Sequence, residues 1–200
     1  MPYRNLTELQ TACRQKQKLK YLFFWGHTPV RAGEVDKAVL SQWYPAPFTL
    51  DGVRYATAEH YMMAQKAARF ADRVAFATII ASDSPGKAKA LGRAVANFDD
   101  ATWQAARFDI VCAGNLGKFS QNPALQTFLL NTGDKILVEA SPQDRIWGIG
   151  LAASDPRAAD PLQWLGENLL GFALMQVRAT AWQQLTMNIT LTRRSHLHTP

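Results

Sequence analysis

Between Thr57 and Ala71 the chain places two opposite charges where an apolar surface is due. At about 100° per residue, Glu59 and Lys66 fall almost on one line of a helix, and Met62, Met63 and Phe70 share it. A helix buries its apolar stripe. A carboxylate and an ammonium there must be paired, shift their ionisation or serve a site. The plainer alternative is that Glu59 favours the first helical turn and Lys66 snorkels to water.

A second candidate is Asp144-Arg145-Ile146-Trp147-Gly148-Ile149-Gly150. Trp147 offers a face for stacking on a heterocycle, Asp144 a second carboxylate, and Gly148 and Gly150 close approach of backbone to a ligand. The same spacing also suits a tight turn with a core tryptophan, and the Gly-x-Gly lacks the rest of a dinucleotide fingerprint. Trp43-Tyr44-Pro45-Ala46-Pro47 reads equally as a base-stacking wall and as a packed loop. Lys87, Lys89 and Arg93 could hold phosphate, though a solvated face is the preferred reading. His27 and His60 are isolated, and His60 lies off the Glu59–Lys66 stripe. Cys13 and Cys112 form neither a disulfide framework nor a zinc site, and Cys112 reads as a small buried hydrophobe. No metal or cofactor is expected.

The elements that must position these groups follow from local pattern. Residues 5–20 read as a basic helix, with Thr7 and Gln10 at capping-box spacing. Tyr21–Trp25 reads as a short buried strand. Phe48–Tyr55 has the form of a hairpin around Asp51-Gly52. Thr57 is the expected cap of a helix to about Ala71. Further helices are expected over 73–81, 86–95, 102–115 and 125–130, a strand over 135–140, and a last long helix from Asn168 to about Leu185. The fold class is α+β: a mainly helical single domain with a few short strands.

Bulk composition agrees with one compact domain. The 200 residues are 48% hydrophobic and 19% charged, and carry 6 Trp and 10 Phe, which excludes a disordered chain. The formal charge of +6 favours anionic partners. Part of it sits in Arg14, Lys16, Lys18 and Lys20, and in Arg193 and Arg194. The polar, basic start has no apolar leader, and no apolar run is long enough to span a bilayer. The Asn188-Ile189-Thr190 sequon carries no weight without secretion, so the cytoplasm is the expected compartment, with no membrane partner.

Several segments, in order, resemble the YbiA-like, or NADAR, family: Phe23-Phe-Trp-Gly-His27, Ser41 to Gly52, Thr57 to Lys66, Lys118 to Asn122, Thr132-Gly-Asp134, Leu137 to Pro142, Trp147 to Gly150, and Asn168 to Arg178. The resemblance divides the chain into a basic extension (1–20), the family domain (21–178), and a helix end with a tail (179–200). It implies an N-glycosidase, with no metal and no cofactor. The family's acidic residue falls on Glu59, its lysine on Lys66, and its acid-plus-Trp element on Asp144 and Trp147. Glu59, Lys66 and Asp144 are then the expected catalytic residues, and Trp43, Tyr44, Trp147, Gly148 and Asn168 the expected substrate-binding ones. Glu59 would stabilise an oxocarbenium-like sugar or position water, and Lys66 would tune its ionisation or hold a hydroxyl or phosphate. The expected substrate is a phosphorylated nucleotide-like molecule, a phosphoribosylamino-pyrimidine intermediate of riboflavin biosynthesis. The alternatives are an ADP-ribosyl-guanine hydrolase acting on ADP-ribosylated nucleic acid, and a non-catalytic ADP-ribose or nucleotide-binding module.

Overall fold

The computed structural model describes residues 3–196, with side chains described to residue 187. The side chains of the Asn188 sequon and of Arg193 and Arg194 lie outside that range. Seven α-helices, three short 3₁₀ helices and two separate two-stranded sheets make up the regular structure of the described residues.

Helix α1 (Leu6–Arg14) is shorter than the charge pattern suggests. Its cap is Asn5, whose side chain accepts from the Glu8 amide at 2.9 Å, while the Glu8 carboxylate accepts from the Arg4 amide at 2.8 Å. Thr7 and Gln10 therefore do not form the capping box, and Lys16, at φ 57°, turns the chain out of the helix. Helix α1 carries one acid and one base, Glu8 and Arg14, with Lys16, Lys18 and Lys20 beyond its end; it buries Leu9 and Ala12 completely or nearly so, and Gln10 donates to the Pro161 carbonyl at 3.1 Å.

Strand β1 (Tyr21–Phe24) pairs in parallel with β4 (Ile136–Glu139), Tyr21 opposite Ile136 and Phe24 opposite Glu139. Trp25 lies beyond the strand and is 62% exposed, and Tyr21 to Phe23 are only half-buried, so the strand is one residue shorter than expected and only Phe24 is fully buried. Strands β2 (Phe48–Leu50) and β3 (Val53–Tyr55) form the hairpin read from Asp51-Gly52. Both turn residues have positive φ, 50° and 76°, the conformation that this dipeptide tolerates.

Helix α2 (Ala58–Arg69) starts where Thr57 accepts from the His60 amide. Helices α3 (Arg73–Ile80) and α4 (Pro85–Arg93) follow, opened by Asp72 and Ser84. Helix α5 (Asp100–Ser120) begins two residues before the sequence pattern suggests, because Asp99 accepts from the Thr102 amide at 2.8 Å. It also runs five residues further, to Ser120. Helix α6 spans Pro123–Asn131, and α7 Leu169–His196. One contiguous core results: α2 packs on α3, α4 and α5, and α7 on α5 and β4.

Two consequences place the site. Both strands of the parallel pair end on the same side, so the segments that follow β1 and β4 emerge side by side. The N-terminal turn of α2 faces that same region.

Candidate functional site

A cavity of about 920 Å³ opens at the carboxyl ends of β1 and β4. Trp25 and His27 come from the segment after β1, Ser41 to Trp43 from the loop before the hairpin, and Glu59, Met62, Met63 and Lys66 from α2. Helix α4 contributes Lys89 and Arg93, α5 contributes Trp103, and the stretch from Glu139 to Trp147 closes the wall. Its size suits a nucleotide-like ligand.

Glu59 sits in the first turn of α2, 2% exposed, with Oε1 bonded to nothing. Its amide donates to the Gln42 carbonyl at 3.0 Å, tying the helix start to the aromatic loop. Burial pushes the carboxyl up to about 7. Lys89, a hydrogen bond from Trp43 and Arg93 oppose that rise, and Asp144 adds to it. A carboxyl so placed holds a proton part of the time at neutral pH. It also leaves one oxygen free for a ligand.

The same wall carries a second such group. Glu139, the last residue of β4, also has a buried oxygen, Oε2, with no partner. Burial pushes it up to about 8, helped by the charges of Asp144 and Glu59 and opposed by Lys89. Its backbone is fixed from two sides: its amide donates to Asn168 Oδ1 and its carbonyl accepts from the Ile149 amide, both at 2.9 Å. Sequence reasoning missed Glu139. It lies in a short strand whose neighbours are apolar, and only the parallel pairing brings that strand's end to the cavity.

Asp144 spends Oδ1 on the turn, accepting from the Ile146 and Trp147 amides at 2.9 and 2.8 Å. It is half-buried and on the cavity wall. Trp147 is also half-buried, with one part of its ring against the core and another lining the cavity. Gly148 is not on the wall. A Cβ there would lie 2.9 Å from the Glu139 carbonyl oxygen and 3.0 Å from that of Asp144, so its bare backbone lets the turn fold onto β4.

Lys66 lines the cavity but does not act on Glu59. Seven residues along a helix is two turns, about 10 Å, so a shared line does not bring the groups together. Its ammonium stands 4.1 Å from the Phe98 ring centroid and 5.8 Å from that of Trp103, and burial lowers its pKa against the pull of Asp100. Lys89 and Arg93, read as a solvated face, take the place assigned to Lys66, whereas Lys87 pairs with Asp83 at the surface. Their lysine and arginine spacing on α4 was the available signal.

Of the aromatic pair, Trp43 lines the cavity and meets His27 at 5.7 Å between ring centroids. Tyr44 turns away from the wall, its ring 5.8 Å from the buried ammonium of Lys118. Lys118 is fully buried, donates to the Val39 and Ser41 carbonyls at 2.6 and 2.8 Å, and is pushed down to about 7 by burial. It anchors the loop that carries Gln42 and Trp43. Gln42 accepts from Asn115 at 2.7 Å and has a buried Nε2 without a partner beside the cavity. Asn168 does not reach the cavity. At φ 55°, with its side chain donating to the Leu137 carbonyl and accepting from the Glu139 amide, it is a clamp on β4 rather than a ligand contact. His60 is a satisfied core histidine, hydrogen-bonded with Thr57 Oγ1 and the Ser82 carbonyl. Among the described residues no set of three or more His, Cys, Asp or Glu side chains is arranged to hold a metal ion.

Two buried carboxyls, each with one oxygen left unpartnered, share a nucleotide-sized cavity with cations and a tryptophan, a set of groups suited to hydrolysing a glycosidic bond. The chain belongs to the NADAR family, whose domain model matches residues 23–182. It is 46% identical over 164 residues to the N-glycosidase R617 of Acanthamoeba polyphaga mimivirus, covering 80% of this chain and 95% of that one. It is 30% identical over 150 residues to the riboflavin biosynthesis protein VVA0006 of Vibrio vulnificus, covering 75% of this chain but 37% of that longer protein. The NMR structure of the Escherichia coli protein YbiA superposes with a TM-score of 0.66 at 26% identity, over 86% of this chain and 88% of that one.

Proposed function

We propose that this chain hydrolyses the ribosyl–nitrogen bond of a phosphorylated nucleotide-like substrate, a phosphoribosylamino-pyrimidine intermediate of riboflavin biosynthesis. The observation that carries the reading is the free, buried Oε1 of Glu59 in the cavity wall beside Lys89 and Arg93. Breaking this bond develops positive charge at C1′, and a desolvated carboxylate stabilises such charge far better than water does. The same carboxylate accepts a proton from the attacking water. Lys89 and Arg93 suit the phosphate and favour the ionised form of Glu59. Trp147 offers the heterocycle a stacking face, and Asp144 adds negative potential near the sugar. Lys66 supplies a further cation at the cavity edge. The name of the Vibrio relative supports the riboflavin branch of the reading.

Two further readings compete. Hydrolysis of ADP-ribosyl-guanine is favoured by the formal +6 charge, which suits a polynucleotide carrying the modified base. A non-catalytic ADP-ribose or nucleotide-binding module is disfavoured by the two carboxyls, because acids facing an anionic ligand weaken binding unless they do chemistry. Chromatography of the products from each substrate class separates all three. Free aminopyrimidine from the ribotide supports the proposal. Free ADP-ribose from modified guanine, with no action on the ribotide, replaces it with the second reading. Tight ADP-ribose binding without turnover of either selects the third.

A further inference from the structure

We infer that Glu139 is the proton donor to the departing nitrogen, and that Glu59 and Glu139 divide the reaction between them as anion and acid. The inference rests on the hydrolase reading above and assigns a role at that site to a residue that lies inside the family-like segment Leu137 to Pro142 but was not among the expected site residues.

The geometry that supports it is specific. The cavity wall holds two carboxyl oxygens that are buried and bonded to nothing, Glu59 Oε1 from α2 and Glu139 Oε2 from β4. An unmet buried acceptor is costly when ionised, and a carboxyl that keeps its proton escapes that cost. The charged groups facing Glu139 decide which carboxyl keeps it. Asp144, on the turn after β4, and Glu59, on α2, both press Glu139 toward its neutral form. Lys89, on α4, opposes them and also faces Glu59, where Arg93 of the same helix and Trp43 add to its pull. The cations and the indole thus favour ionisation at Glu59, and the proton is left on Glu139. Glu139 is pushed up to about 8 and Glu59 to about 7, so the useful state, one proton on the pair, lies between. The donor is also held still, because Asn168 and Ile149 fix its backbone.

In the reaction the C1′–N bond breaks with its electron pair leaving on nitrogen, and nitrogen takes the Glu139 proton. The water oxygen then bonds to C1′ and its proton passes to Glu59. The products are the free amine and the sugar. The proton now on Glu59 returns to Glu139 through the solvent in the cavity, and the pair is reset.

The test compares two leaving groups. An exocyclic amine on a pyrimidine needs protonation to depart, whereas the pyridinium nitrogen of nicotinamide mononucleotide leaves neutral without it. Turnover of both is measured for the parent, Glu139→Gln, Glu139→Asp and Glu59→Gln, each across pH. Glu139→Gln is expected to lose about 100-fold or more on the aminopyrimidine ribotide and to keep most of the parent rate on the pyridinium nucleotide. Its turnover is also expected to lack the fall above about pH 8 that the raised Glu139 carboxyl predicts for the parent. Glu139→Asp, which retains an acid, keeps that fall at an intermediate rate. Glu59→Gln loses both substrates. Equal loss of both by Glu139→Gln makes Glu139 a structural residue and overturns the inference, as does parental turnover of the ribotide. If the parent does not accept the pyridinium, the fall in rate above pH 8 decides alone: its persistence in Glu139→Gln overturns the assignment. A parent that acts on no ribosyl–nitrogen bond removes the hydrolase reading itself, an outcome distinct from a parent that works without Glu139.

Discussion

Glu59 and Trp147 each break a local pattern, an acid on an apolar stripe and a tryptophan between an acid and two glycines. What a stripe cannot give is distance. Lys66 shares the line of Glu59 but stands two turns away, and the cations that act on Glu59 come from a different helix. Replacing Glu59 by Gln keeps the shape and removes the charge. Turnover should fall about 100-fold or more with the ligand still bound. Stability should move the other way. The folded-state pKa of Glu59 is raised, so the penalty of burying it is absent below the unfolded value, grows as pH rises to about 7 and is constant above that. Glu59→Gln should therefore melt at or above the parent at pH 8, and the gap should close near pH 4. Thermal melts across that range check the sign, and a variant that melts well below the parent at pH 8 would make Glu59 a structural anion. Trp147→Ala should raise KM for heterocycle-bearing substrates more than it weakens ribose 5-phosphate, since stacking is worth about 1–3 kcal/mol per base. Because part of the ring packs on the core, some loss of thermal stability accompanies the change. Equal weakening of both ligands would remove the stacking role.

At the scale of elements, caps and turn chemistry carried most of what could be read. Thr57 and Asp51-Gly52 fixed the start of α2 and the hairpin, and α3, α4 and α6 fall close to their expected places, whereas α7 runs to His196, well past its expected end near Leu185. The misses have local causes. Asn5 with Glu8 outcompetes Thr7 with Gln10 at the start of α1, and Asp99 opens α5 before Thr102 does. Glu139 and Asn168 were harder, because their roles depend on a parallel pairing and on a side chain that reaches β4 from the residue just before α7. Asn168→Ala tests that clamp. It leaves the Leu137 carbonyl and the Glu139 amide without partners in a buried place, at a cost of about 1–3 kcal/mol for each group. Melting temperature should drop, and turnover measured well below it should fall while KM changes little, because the displaced group is Glu139 rather than a ligand contact. A rise in KM alone would restore Asn168 to the binding surface.

For the molecule as a whole, α1 raises the question of where the working domain begins. The family match starts at residue 23, yet Leu9 is fully buried in the same core as the site's scaffold. Removing residues 1–18 should lower the melting temperature. The loss of one fully buried leucine alone costs about 2–5 kcal/mol. Below the new melting point, cleavage of a small phosphorylated substrate should persist, since no residue of α1 lines the cavity. Arg14, Lys16 and Lys18 leave with the segment. If a polynucleotide is the substrate, its binding should weaken and its log–log salt slope flatten by roughly 0.7 to 0.9 for each lost phosphate contact. Turnover of both substrate types at several salt concentrations separates these effects. A folded truncation that no longer cuts the small substrate would place α1 inside the catalytic unit.

The pairing of β1 with β4 also sets a timetable for synthesis. Tyr21 must wait for Ile136, 115 residues later in the chain, before either strand has its partner. At translation rates of about 5–20 residues per second, that wait lasts on the order of ten seconds. During it Glu59, Lys89 and Arg93 are already made, but the strand that bears Glu139 is not. The nascent chain must hold an unpaired edge with Leu22, Phe23 and Phe24 on it throughout that interval, the kind of exposed strand that chaperones cover. An active site built where two distant strands end together is therefore assembled last.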